Sequence, residues 1–332
     1  PALVAAVAIA GLAALATGLL GTRIGLSQIE QFRAHADSVA GYDVVAAHFP
    51  AGLTNPTLVI APTDARVQQA IKATPGVTSA TDSGHSASGL TKWSVVIDAP
   101  PSSAQAFNTV AALRDSTKSA NPAALVGGAD AQALDARNAA THDRHLLIPA
   151  ILAVILLVLY VVLRSALAPP TLLAATILGA LAALGMGGWA SSHVFGFPAL
   201  DNSTPLFAFL FLAALGVDYT IFLVTRAREE SARRGARAGM VAAVSATGGV
   251  ITSAGIVLAA VFCVLGVLPL IVLTQLGIIV GLGILLDTFV VRTLVIPALF
   301  AVIGDRIWWP AAPKPMEAVA AQVEYQHERS TP

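Results

Sequence analysis

Charge is what this chain has least of. Of its 332 residues only 11% are charged and 56% are hydrophobic, whereas about a quarter of a soluble domain is charged. Too few polar groups are present to cover such a surface in water, which excludes an ordinary soluble protein and points to a membrane. The few charges balance, 19 basic against 19 acidic, so no basic footprint for nucleic acid exists. Cysteine occurs once, as Cys263 inside an apolar stretch, which excludes a disulfide framework and a cysteine-based metal site. Nucleophile-elbow, HExxH, Walker A and dinucleotide motifs are all missing, so neither an enzyme nor a cofactor is expected. His142 and His145 flank Asp143 in a pattern that resembles a metal site in composition alone and reads as a solvated helix end. No Met and no basic n-region precede the opening apolar run at Pro1, which reads as a piece of a longer polypeptide.

What is present is hydrophobic length. A membrane-spanning helix needs about 20 mostly apolar residues, and six runs qualify: 1–21, 146–163, 170–190, about 205–225, about 241–268 and about 270–303. The last would be about 50 Å long as a single helix and is expected to tilt or to end at the interface. The division is a first span at 1–21, a polar insertion at 22–145, a five-span bundle at 146–303 and a cytoplasmic tail at 304–332, of which 311–332 reads as loosely ordered.

The polar insertion has the composition of a soluble domain. Short β-branched runs at 57–63, 77–82, 92–99 and 123–127 alternate with amphipathic segments at 64–74 and 102–119. That succession, β-α-β-β-α-β, is the ferredoxin-like split βαβ unit. A helical lead-in at 27–47 precedes it, and a helix at 129–144 is expected to feed the second span.

Orientation follows from Lys and Arg in the short loops. Arg164, the cluster Arg226, Arg228, Arg233, Arg234 and Arg237, and Arg306 with Lys314 all fall on one side, while the opposite loops at 191–204 and 266–269 carry neither. The arginine side is therefore expected to be cytoplasmic, and the polar domain extracytoplasmic. The string RAREESARRGAR, Arg226 to Arg237, reads as an interfacial amphipathic helix on the cytoplasmic face.

Ionisable residues within apolar spans are costly and point to function by default. Asp218 lies about 18 Å from one end of its span and about 12 Å from the basic cluster, with Phe211, Ala214, Leu215 and Phe222 at helical neighbour spacing. Removing a carboxylic acid from water favours its neutral form, as a proton carrier requires; a purely structural acid bonding between helices is the alternative. Tyr219, about 100° further round the helix, is placed to donate a hydrogen bond to a neighbouring carboxylate. Asp287 lies deep in the last run, and Arg292, five residues on, is expected too far around an α-helix to touch it. Ser245, Thr247, Gly248, Gly249, Thr252, Ser253 and Gly255 make the fifth span a small-residue surface for close packing against the fourth, or for a hydrated route to Asp218.

Four blocks in order, GVDYTIFLVTRAREE (216–230), ATGGVITSAGIVLA (246–259), LLDTFVVRTLVIPAL (285–299) and GDRIWWP (304–310), together with the βαββαβ domain after the first span, resemble the MMPL family of the RND transporter superfamily. The resemblance implies an α-helical membrane protein: a six-span RND half-bundle with a ferredoxin-like α+β porter domain inserted after the first span. The chain is similar to the second of two tandem halves, so it implies a missing N-terminal half, or a second similar half, as partner. It further implies proton-driven export of a lipid or other hydrophobic molecule across the cell's inner membrane. The family's Asp-Tyr pair falls on Asp218 and Tyr219, with Asp287 as a third relay candidate. A sterol-sensing-like lipid-binding or scaffolding protein, in which Asp218 is dispensable, is the alternative, and a protein-translocation auxiliary of the RND type is a third reading.

Overall fold

The structure is a computed structural model that describes residues 1–27, 30, 31, 33, 37–49 and 55–310. The expected tail beyond residue 310 and parts of the expected lead-in helix lie outside the described residues; α2 (Asp37–His48) is the part of that lead-in seen. The chain divides into two compact units, one made of Pro1–Ile24 with the segment from Asp143 onward, the other of Gly25–His142.

The smaller unit contains β1 (Thr57–Pro62), α3 (Ala65–Ala73), β2 (Val77–His85), β3 (Leu90–Ile97), α4 (Ala104–Ala120) and β4 (Leu125–Gly127). The four strands form one sheet in the order β2-β3-β1-β4, with every neighbouring pair antiparallel. Period-two alternation sends Val59, Ala61, Trp93, Val95 and Ile97 into the core, where they meet Val67 and Ile71 of α3 and Val110 and Leu113 of α4. Both helices start on side-chain caps: Asp64 accepts from the Arg66 amide, and Ser103 from the Ala106 amide. At Ser102, which has φ of 58°, the amide donates to Asp130 at 2.7 Å, and Arg114 pairs with Asp135 at 2.6 Å.

The larger unit is helical: α1 (Ala2–Ala16), the part of α5 (Ala129–Leu163) from Asp143, α6 (Ala168–His193), α7 (Thr204–Leu265), α8 (Ile271–Leu286), a π-helix (Asp287–Val295) and α9 (Ile296–Ile303). Five helical stretches are long and apolar enough to cross a membrane, by length and composition. Their outward faces are apolar too, Leu3, Val7, Leu157 and Val261 among them, the pattern of helices hydrophobic all round. α1 crosses α6 at two facing glycines. A Cβ on Gly185 would overlap the Leu15 carbonyl and Ala16, and one on Gly18 the Gly185 carbonyl, so the backbones touch directly.

Three features stand beside the expectations. First, the helix expected at 129–144 does feed the second span, as one continuous helix, α5, that runs on through Pro149. Second, the basic segment read as an amphipathic helix is helical as part of α7. Its 62 residues stay helical except at Gly235, where φ 77° and ψ 164° break the ladder. The limbs on either side fold back antiparallel, since Gly239 lies against Ser231 and, far from the bend, Phe211 meets Phe262 edge to face. Third, residues 304–310, assigned to the tail from sequence, pack into the bundle. Ile307 and Trp308 are buried, the Ser165 hydroxyl donates to the Ile307 carbonyl at 2.5 Å, and the Ala166 amide donates to the Trp309 carbonyl at 2.7 Å. Two charged residues followed by three large apolar ones, Ile307 to Trp309, are too short a run to give a period from which this docking was readable.

Candidate functional site

The first limb of α7 carries Asp218 and Tyr219 on different faces, as the 100° step per residue requires. Asp218 is exposed on the surface of its unit, in a stripe with Phe207, Phe211, Ala214 and Phe222 at three- and four-residue steps. Tyr219 turns inward, half-buried against the core.

Behind Tyr219 lies the π-helix. Asp287 opens it and Arg292 follows five residues later, and the guanidinium Nη2 reaches the Asp287 carboxylate at 2.5 Å. The sequence expectation that this pair cannot touch is therefore corrected. In a π-helix the backbone bonds run i→i+5, so residues five apart lie one above the other, where an α-helix would splay them. The same Nη2 lies 3.4 Å from the Gly216 carbonyl, and the guanidinium carbon sits 5.0 Å from the centre of the Tyr219 ring. Tyr219 thus meets a cation through its ring face, and its hydroxyl reaches no carboxylate among the described residues. Arg292 is 3% exposed, and its Nε and Nη1 have no hydrogen-bond partner among the described residues. Two unsatisfied donors beside a partly exposed carboxylate form a polar centre inside an apolar bundle, a state costly enough to ask for a reason.

Gly216 borders this centre: a Cβ added there would stand 3.7 Å from the Asp287 carboxylate, an ordinary contact distance. The small residues of the fifth span serve it too, though not as expected. Gly255 packs tightly on Thr288 of the π-helix rather than on the fourth span, while Gly248 and Gly249 face open space. The structure brings Tyr219, Asp287 and Arg292 into one cluster and leaves Asp218 one residue away on an outward face.

Two further polar residues organise the bundle ends. Gln275, fully buried, accepts from the Asp201 amide and the Thr204 hydroxyl and donates to the Ala199 carbonyl at 2.7 Å, which pins the start of α7 to α8. At the other end Asp305 accepts from the Ala236 amide at 2.7 Å and caps the helix that restarts after Gly235. Sequence reasoning passed over Gln275, whose signal was a lone amide in an otherwise apolar run, and quoted Asp305 without giving it a role.

Comparison with known proteins agrees with this anatomy. Residues 31–323 match the MMPL family. Membrane protein SCO0839 of Streptomyces coelicolor is 45% identical over 311 residues, 90% of this chain and 44% of its own length. The apo-petrobactin exporter of Bacillus anthracis is 31% identical over 296 residues, 85% of this chain and 40% of its own length. The sulfolipid-1 exporter MmpL8 of Mycobacterium tuberculosis is 34% identical over 225 residues, 66% of this chain and 20% of its own length. The chain therefore spans less than half the length of these relatives. A match that runs over most of the chain, on long apolar helices, makes this chain a multi-pass membrane protein that belongs to the MMPL family.

Proposed function

We propose that the chain is the C-terminal half of a proton-driven MMPL exporter of lipids or other hydrophobic molecules. In this reading it carries six spans, the two limbs of α7 counting separately, and the βαββαβ unit is a ferredoxin-like porter domain on the extracytoplasmic side of the inner membrane. Asp218, Tyr219 and Asp287 form its share of the proton relay. Two relatives named as exporters, one of petrobactin and one of sulfolipid-1, support export as the activity.

The observation that carries the reading is the outward Asp218. A carboxylate exposed at the middle of an apolar helix face is costly against lipid, and it is stabilised if that face meets the other half of the protein. Protonation of Asp218 across such an interface changes charge where two halves meet, which is the differential interaction a ligand-driven conformational change needs. Tyr219 then connects that face to the Asp287–Arg292 pair through its ring. A proton crossing the membrane supplies about 2.3 kcal/mol per 100 mV, to be spent on rocking one half against the other.

The test replaces Asp218 by Asn in the full-length protein, with membrane insertion verified, and compares inner and outer lipid profiles with wild type and a deletion strain. Accumulation inside of the same lipid class in the Asn variant and the deletion is the expected result. A variant that exports like wild type ends the relay reading.

A further inference from the structure

A cavity of about 480 Å³ opens where the Gly235 bend meets the Gly304 turn, at the arginine-rich end of the bundle. Both glycines have positive φ, 77° and 66°, a conformation an L side chain rarely adopts, and neither carries a side chain to fill the space. Arg234, Arg237 and Arg306 line it together with Asp305 and Ile303. Asp305 is already engaged, because its Oδ1 accepts from the Ala236 amide. Arg234 shares Glu230 at 3.7 Å, whereas Arg237 and Arg306 form no ion pair among the described residues.

We propose that this cavity binds the phosphodiester headgroup of an anionic membrane glycerophospholipid. Three guanidinium groups face one occupied carboxylate, an excess of positive charge with the fork geometry that suits phosphate oxygens. The depth fits a lipid better than a free anion. Trp309, three residues beyond Arg306, is 64% exposed, and an exposed tryptophan marks the headgroup level. Ile303 supplies an apolar wall on the side of the helix that leads into the bundle, where a glycerol backbone continues toward its acyl chains. A headgroup in the cavity bridges the bend between the limbs of α7 and the turn after α9. The inference rests on membrane insertion and not on proton coupling, so its failure leaves the relay untouched.

The test uses the full-length protein in nanodiscs of phosphatidylcholine with a minority of phosphatidylglycerol, and measures the affinity for a spin-labelled phosphatidylglycerol. At the worth of a surface arginine near an anionic leaflet, the double variant Arg237→Gln/Arg306→Gln weakens binding about thirty-fold. Arg226→Gln, whose side chain lies outside the cavity and reaches it only through the Glu230 it shares with Arg234, changes binding far less than the double variant. The single variant Arg306→Gln, an exposed side chain with no ion pair among the described residues, gives a partial loss and guards against misfolding of the double. Equal affinity in wild type and double variant overturns the proposal, as does equal loss in Arg226→Gln. Displacement of the lipid by inorganic phosphate at millimolar concentration also overturns it, because the site then takes a soluble anion.

Discussion

Asp287 and Arg292 stand five residues apart and form an ion pair at 2.5 Å, a separation bridged only because the helix between them has π geometry. Arg292 is buried and Asp287 partly so, so removing one partner leaves the other without compensation. Arg292→Leu or Asp287→Asn is expected to cost about 3 kcal/mol, and the double replacement by apolar residues less than the sum of the singles. Thermal unfolding of the four proteins in detergent gives the double-mutant cycle. Strict additivity would show that the pair does not interact.

The direct contact of α1 and α6 backbones at Gly18 and Gly185 leaves no room for a methyl group. Gly185→Ala is expected to destabilise by about 1–3 kcal/mol, the usual cost of overpacking, because the obstacle is backbone and cannot swing aside. Gly248→Ala, where a Cβ meets nothing within 4 Å, is expected to be neutral or slightly stabilising. A melting temperature for each variant decides the matter.

Asp305 lies sixty-nine residues from the amide it caps. Asp305→Ala is expected to lose about 1 kcal/mol, the ordinary worth of a helix cap, and Asp305→Asn to keep most of it. Hydrogen exchange at the amides following Gly235 reads the loss locally. Unchanged protection in the Ala variant would mean that water serves as well as the carboxylate.

Two acids of the smaller unit make its stability fall in acid. Hydrogen bonds and charge from Arg66 hold Asp64 below the usual carboxylate range, and Arg114 does the same for Asp135. A depressed carboxylate contributes stability that is present at neutral pH and is lost as pH falls through its lowered value. Asp135 is exposed and the Arg66 partner of Asp64 is too, so solvent screens both pairs and the effect is small. Protection of amides in α3 and α4 is expected to drop below about pH 4, with Asp135→Asn removing its share of the slope. A flat profile would contradict this.

Much of the fold was legible because it is written in local patterns. Apolar runs marked the spans, since a bilayer demands unbroken hydrophobic length. Alternation at Val59, Ala61, Trp93 and Val95 marked strands, since side chains on a pleated sheet repeat every two residues. Asp218 and Asp287 stood out because charge is expensive in such company. Less could be read where the contact partner is distant in sequence. Gln275 is indistinguishable from a stray polar residue until Ala199, Asp201 and Thr204 come to it. Gly255 carries no sign of whether it faces the fourth span or Thr288.

The sequence by itself determined the long apolar helices, the order of strands and helices in the polar insertion and the placing of Asp218 and Asp287 within apolar runs, because each depends on neighbours within a few residues. Only the tertiary structure decided which acid has a partner. Asp287 meets Arg292 because packing of Thr288 against Gly255 and of Arg292 against Tyr219 accompanies the π register there, and no period in the chain announces that register. Asp218, one residue from that cluster, faces outward because the helix face is set by which neighbours cover it.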